Sequence, residues 1–328
     1  MKIRTTDPDG TAAEISALCK TITWSGDYRN AARTLSFSPA VSAADKNLPK
    51  APTELGGSAQ LLHGSDLLMD AFSLERSRDS LGNTVDVTAY DRGLYLTRNS
   101  VFLRVENRTA EGVTASLCVR FGIVTGSLAA TGVELTRNFF GVSLYKIIMT
   151  LYTLAADQTG KKYRIRFRGA RLEVVEMART AETILLRPGY NLLSCTARES
   201  ASGMTNSVAI YDDEGELLQV QQDDAAVALY GLMQEAVKAS ACDDPVGRAK
   251  QILAENGMRT TITLNALGNL KLITGNTVAV EEPVTGTYGL FWIISDSHTW
   301  KRNVYQTKIT VSLETLMDRQ TAGSLPME

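Results

Sequence analysis

The chain has 328 residues, 44% hydrophobic and 21% charged, a balance that excludes disordered and fibrous classes and leaves length for two or three globular domains. A formal net charge of −2 excludes wrapping of nucleic acid or binding to an anionic membrane by bulk charge. The apolar run "LFWII" (290–294) falls far short of the roughly 20 residues of a spanning helix, and "MKIRTTDPDG" at the start has no signal-peptide core. The expectation is a soluble protein with no membrane anchor.

In chain order, "WSGDYRNAARTLSF" (24–37) reads as a strand ending at Trp24, a tight Ser-Gly-Asp turn, a basic segment and a second strand. "LLHGSD" places His63 at a hairpin turn, and "LGN" at Leu81 to Asn83 punctuates the next connection. "TVDVTAY" alternates, with Val85, Val87 and Ala89 on one face, as a half-buried antiparallel strand does. "TRN" (97–99) reads as a turn, and "TAEGVTASLCVRFGI" as a short helix through Val113, Leu117 and Phe121. "SLYKIIMTLYTLA" carries Leu144, Ile147, Ile148, Leu151 and Leu154 on one helical stripe.

Further on, Asp212, Asp213 and Glu214 precede Gly215 in an acidic hairpin turn, and Asp223-Asp224 is a second carboxylate pair. "DDPVGRAKQILAENG" has an Asp cap, Pro245 in the first turn and Asn256-Gly257 as a stop, a complete set of helix-end signals. "MRTTITL" (258–264) alternates; "TGN" (274–276) is a turn; "GLFWIIS" reads as a strand buried on both faces. "YQTKITVSL" puts Tyr305, Ile309, Val311 and Leu313 on one face.

Candidate chemistry is sparse. The four cysteines, Cys19, Cys118, Cys195 and Cys242, form no CxxC pair, which predicts free thiols and no metal or cofactor site. Two histidines occur, and His298 is read as a turn or interface residue. A triad of Ser297, His298 and Asp296 is set aside because neighbours on a strand alternate faces. Ser194-Cys195 offers a nucleophile with no evident partner. In "KKYRIRFRGAR", Lys162, Arg164, Arg166 and Arg168 share one strand face opposite Tyr163, Ile165 and Phe167. Such a row is a solvated edge that blocks aggregation, a contact for an acidic partner or neighbouring subunit, or a nucleic-acid face; the last lacks stacking aromatics.

Taken together, "ITWSGDYRNAARTLSFS", "VTAYDRGLYLTRN", "SLYKIIMTLYTLAADQTGKKY" and "GLFWIISDSHTW" leading into "YQTKITVSL" resemble, in this order, the late-control-protein-D-like hub family of contractile phage tails, in its Gram-positive prophage branch. The resemblance covers about residues 15 to 314. It implies a mainly β (α+β) fold with two tube-type β-barrel domains and an inserted helix-containing subdomain. It marks Trp24, Gly26, Asp27, Phe37, Tyr90, Asp91 and His298 as signature positions, with the Ser-Gly-Asp turn joining the first two barrel strands.

The implied division is a first barrel at 1–105, an inserted α+β subdomain at 106–180 and a β-rich connecting segment at 181–240. A helix plus second barrel follows at 241–320, with a tail at 321–328. The implied role is a structural, non-enzymatic baseplate hub of a phage or phage tail-like bacteriocin. Three copies would form a ring adapting the sixfold tail tube to the threefold spike. Its partners would be itself as a homotrimer, tube protein, spike protein and other baseplate proteins, with no specific nucleic acid. It would assemble in the bacterial cytoplasm and reside in the baseplate. Lys162, Arg164, Arg166 and Arg168 are the expected assembly contact, so that changing the three arginines to glutamate would block assembly and leave the monomer folded. A hub-associated cell-wall hydrolase is the rival, which would need a carboxylate pair, a Cys-His pair or a zinc site.

Overall fold

In the computed structural model the described residues are 1–328 apart from 43, 44, 81, 181, 242, 243 and 326–328, so Leu81 of the expected "LGN" turn and Cys242 lie outside them. The fold is mainly β. Contacts divide it into two compact units, Met1–Cys195 with Thr263–Glu328, and Thr196–Ile262.

The first unit begins with β1 (Lys2–Thr6), β2 (Ala12–Glu14), β3 (Cys19–Asp27), β4 (Thr34–Pro39), β5 (Ser58–His63), β6 (Asp66–Arg78) and β7 (Val85–Asp91). Period-two alternation does what the sequence predicts: Leu35 and Phe37 of β4, and Val85, Val87 and Ala89 of β7, are buried while their neighbours are not. They pack with Ile3, Ile15, Trp24 and Leu61 in one core. His63 sits at the β5–β6 hairpin as expected, paired with Asp66 across the turn. The Ser-Gly-Asp turn is corrected: Ser25, Gly26 and Asp27 are the last residues of β3, and the chain turns at 28–33 instead. The physical cause is the long partner strand opposite, which keeps them in register.

The middle of this unit holds α1 (Gly93–Arg98), β8 (Ser100–Thr109), α2 (Ala110–Arg120), β9 (Thr125–Leu128), β10 (Glu134–Ser143), α3 (Leu144–Thr159), β11 (Tyr163–Arg168), β12 (Arg171–Glu176) and β13 (Ile184–Leu186). The expected "TRN" turn is the end of α1 and the residue that caps it, Asn99. Helix α3 is capped by the Ser143 hydroxyl, which accepts from the Lys146 amide, and stops at Gly160 in the left-handed region (φ 71°). Its stripe of Leu144, Ile147, Ile148 and Leu151 is fully enclosed with Val113, Leu117, Phe139 and Tyr163.

Strand β14 (Leu192–Ser200) runs into the second unit, which holds β15 (Ser207–Tyr211), β16 (Leu217–Gln222), α4 (Asp224–Tyr230), β17 (Gln234–Lys238) and α5 (Pro245–Glu255). Its sheet order is β16-β15-β17. The acidic turn at 212–216 joins β15 to β16 as predicted, with the Asp212 carboxylate accepting from the Glu214 and Glu216 amides. Of the second carboxylate pair, Asp223 caps α4 by accepting from the Ala226 amide. Helix α5 starts and stops where its end signals place it, with Ala249 and Ile252 packed on Val208 and Ile210.

The chain then returns through β18 (Arg259–Leu267), β19 (Thr277–Glu282), β20 (Thr287–Lys301) and β21 (Val304–Ser312). The large sheet has 13 strands, and its main path runs β14-β18-β21-β20-β3-β4-β7-β6-β5-β1-β2. Phe291, Trp292 and Ile293 of β20 are buried in succession, as the "GLFWIIS" reading requires. On β21 the buried face continues through Ile309 and Val311, but Leu313 lies past the strand and is exposed. Strand β20 is the junction of the sheet. It pairs with β19 through 287–292, with β21 through 292–301, and with β3 through 295–301.

Candidate functional site

The β3–β20 ladder sets two signature segments, near opposite ends of the sequence, side by side. Trp24 stands opposite His298 and Gly26 opposite Asp296. Side chains two apart on a strand share a face, so Trp24, Gly26, Asp296 and His298 meet on one side of the sheet. Ser297 points to the other face, as the alternation that sets the triad aside requires, while Asp296 and His298, at i, i+2, share this one. Asp296 Oδ2 lies 3.3 Å from His298 Nε2. His298 is neither a turn nor an exposed interface residue, being wholly buried within β20.

Arg33, the last residue of the 28–33 turn, completes the cluster. Its guanidinium forks onto both Asp296 oxygens, one at 2.9 Å, and lies 4.0 Å over the Trp24 ring. It reaches them by crossing Gly26, where a Cβ would stand 2.2 Å from the guanidinium. This accounts for the small residue between Trp24 and Asp27. Thr274 donates to the same carboxylate from its amide (2.7 Å) and its hydroxyl (2.6 Å). Burial alone would push the Asp296 carboxyl up, but Arg33 and His298 beside it hold it well below the usual carboxylate range. His298 Nδ1 lies 2.8 Å from the Tyr305 hydroxyl and 3.2 Å from Thr307 Oγ1. An Asp–His–hydroxyl array serves general-base chemistry when substrate can reach it. Here Asp296, His298 and Thr307 are all buried, so the array is a polar network within the core.

The other signature positions surround this network. Phe37 is buried in one core with Trp24. The Asp27 carboxylate accepts from the Arg29 amide (2.9 Å) and side chain, holding the turn at 28–33. Tyr90 donates to Glu75. Asp91 accepts from the amides of Gly93 (2.8 Å) and Arg33 (3.2 Å), fixing the backbone from which Arg33 projects. Burial pushes the Asp91 carboxyl up to about 6 against those amide bonds. Its folded-state value lies above the unfolded one, so between about pH 4 and pH 6 the folded state binds more protons and stability falls as pH rises. The expected loss is roughly 3 kcal/mol. Urea titrations from pH 4 to 7 should show this slope, and Asp91→Asn should flatten it.

The basic strand is tied into its own fold. Lys162 donates to the Thr315 carbonyl, and Arg166 pairs with Glu173 at 2.7 Å. Arg164 donates to the Thr274 carbonyl, its guanidinium lying where a Cβ on Gly275 would be. Enclosure pulls Arg164 down to about 10, and the charges of Arg166 and Arg33 add to this. Arg168 is exposed. The triple change to glutamate would therefore set a carboxylate against the Thr274 carbonyl at position 164 and damage the fold itself, contrary to the expectation of an intact monomer; Arg168→Glu spares the fold.

Cys195 Sγ faces Thr285 (3.2 Å) and Thr287 (3.6 Å), and Cys19 and Cys118 are free thiols. Among the described residues no group of three or more His, Cys, Asp or Glu is placed to hold a metal ion, and no helix is long and apolar enough to cross a membrane. The residues that sequence reasoning missed are Arg33 and Thr274, and with them the partners of Asp296. Each lies in a quoted signature or turn segment, but only the β3–β20 register reveals that they meet.

A family model described as YqbQ-like matches residues 22–312, from Ile22 in β3 to the last residue of β21. The chain belongs to the YqbQ-like family. Among curated relatives, the uncharacterized protein YqbQ of Bacillus subtilis (strain 168) is 24% identical, over 72% of this chain and 75% of that protein. The phage-like element PBSX protein XkdQ of the same organism is 21% identical, over 70% and 73%. The fold is shared with the 43 kDa tail protein of prophage MuSo2 from Shewanella oneidensis, at TM-score 0.68, 12% identity, 95% of this chain and 98% of that one. The fold is thus one that a prophage tail protein also has.

Proposed function

We propose that this chain is the baseplate hub of a contractile tail, a structural component that joins the sixfold tube to the threefold spike as a ring of three copies. The observation that carries the reading is the β3–β20 ladder. Two strand systems, β1–β7 and β18–β21, become one continuous sheet through it. A subunit built as two fused tube-like barrels offers two dissimilar edges to its neighbours, and three such subunits close a ring with pseudo-sixfold symmetry. Its partners are two further copies, tube protein, spike protein and other baseplate proteins, and its place is the particle baseplate.

Each contact between copies should bury well over roughly 1,000 Å². The buried Arg33–Asp296 clamp belongs to folding in this reading, and the exposed Arg168 is the assembly contact on the basic strand. Light scattering on the purified chain, alone and with its spike, should give the mass of a trimer in at least one condition. Arg168→Glu should lower the trimer fraction without moving the melting temperature. A monomer in every condition, spike included, would overturn the hub reading.

A further inference from the structure

The second unit differs in charge from the rest of the chain. Residues 196–262 hold eleven carboxylates and five cations, a net charge of −6 within a chain whose total is −2. This acidic unit also exposes apolar side chains: Leu217, Leu218 and Val220 on β16, and Leu229, Tyr230, Leu232 and Met258 around α4. Exposed apolar groups at this density mark contact surfaces.

Among the described residues β16 pairs only with β15 and is an edge of its three-stranded sheet, so one side of its backbone is open to a further strand. Natural edges are blunted by lysine, proline or other charge. The opposite edge, β17, carries Glu235 and Lys238, whereas β16 reads "LLQVQQ" with no charge and no proline. Charge sits at its two ends only: Asp212, Asp213, Glu214 and Glu216 before it, Asp223 and Asp224 after it. Asp223 also lines a cavity of about 350 Å³ with Met204, Leu229, Tyr230, Leu253 and Met258. The pocket is mostly apolar, with Thr205, Asn206 and Asp223 as its polar members.

We infer that β16 is a docking edge for an extended, basic segment of another protein, which adds as a fourth strand and sends an apolar side chain into the pocket beside α4. Backbone hydrogen bonding to an open edge selects an extended chain. The carboxylates at both ends of β16 select lysine or arginine at the ends of that segment and disfavour a second copy of β16, whose own ends repeat the same charge. The inference concerns the second unit only and does not depend on the hub reading.

The test uses the full-length chain and fluorescence anisotropy with labelled peptides of alternating lysine and valine. A control peptide has the same composition but a central proline pair, which prevents strand addition while keeping the charge. The strand-forming peptide should bind about tenfold more tightly than the control. Leu218→Lys with Val220→Lys, both at exposed positions, should remove that preference while the melting curve stays unchanged. Equal binding of the two peptides, no binding of either, or unchanged preference in the double variant would overturn the inference. So would a self-association through β16, seen as a mass increase by light scattering that the double variant abolishes.

Discussion

Arg33→Ala is expected to destabilise the first unit by about 3–5 kcal/mol, because it strips a buried carboxylate of its fork-shaped partner and leaves the charge uncompensated. Asp296 has no side-chain exposure, and Thr274 would remain as a neutral donor unable to replace a full positive charge. In a unit of this size such a loss lowers the melting temperature by roughly 10 °C. Calorimetry on Arg33→Ala and Arg33→Lys separates charge from geometry: lysine restores the charge but not the two-point contact, so it should recover only part of the loss. A change below about 1 kcal/mol would show the pair to be worth no more than an exposed salt bridge and sink the clamp. The pH dependence supplies a second readout. Asp296 is depressed in the folded state, so its contribution is present above the unfolded carboxylate value and is lost as pH falls through the folded one. Arg33→Ala should shrink that acid-side loss.

Trp24→Ala is expected to cost a similar amount, about 3–5 kcal/mol, the range for truncating a buried large aromatic. Trp24 is 4% exposed, lies beneath the Arg33 guanidinium and has its ring centroid 5.1 Å from that of His298. Trp24→Phe should recover most of the loss by keeping a ring under the cation. The two alanine changes should not add. Both remove the Arg33–Trp24 contact, so the double variant should be more stable than the sum predicts by about 0.5–2 kcal/mol. Additivity would mean that the ring and the guanidinium are neighbours without coupling.

Much of the fold is legible in local pattern. Val85, Val87 and Ala89 alternate and are buried; the stripe from Leu144 to Leu151 repeats at helical spacing and is enclosed; α5 begins at Pro245 and ends by Asn256 as its caps dictate. These succeed because alternation, helical stripes and caps are properties of consecutive residues. The misreadings have one cause in common. "SGD" looks like a turn by composition, yet it is the end of β3 because β20 pairs with it. Arg164 looks like a surface cation because it alternates with Ile165 and Phe167, yet the Thr274 carbonyl takes it inward.

From the residues alone come the strand-rich class, the helical stripe of α3 and the ends of α5, since each depends on neighbours within a few residues; the signature positions come from the family resemblance. Only the tertiary structure decides that Trp24 meets His298, that Gly26 leaves room for Arg33, and that Asp296 receives it. Arg33 and Asp296 are 263 residues apart in sequence, and no local pattern carries information about a contact over that distance. What joins them is strand register, set by the burial of whole faces and not by the residues of the cluster.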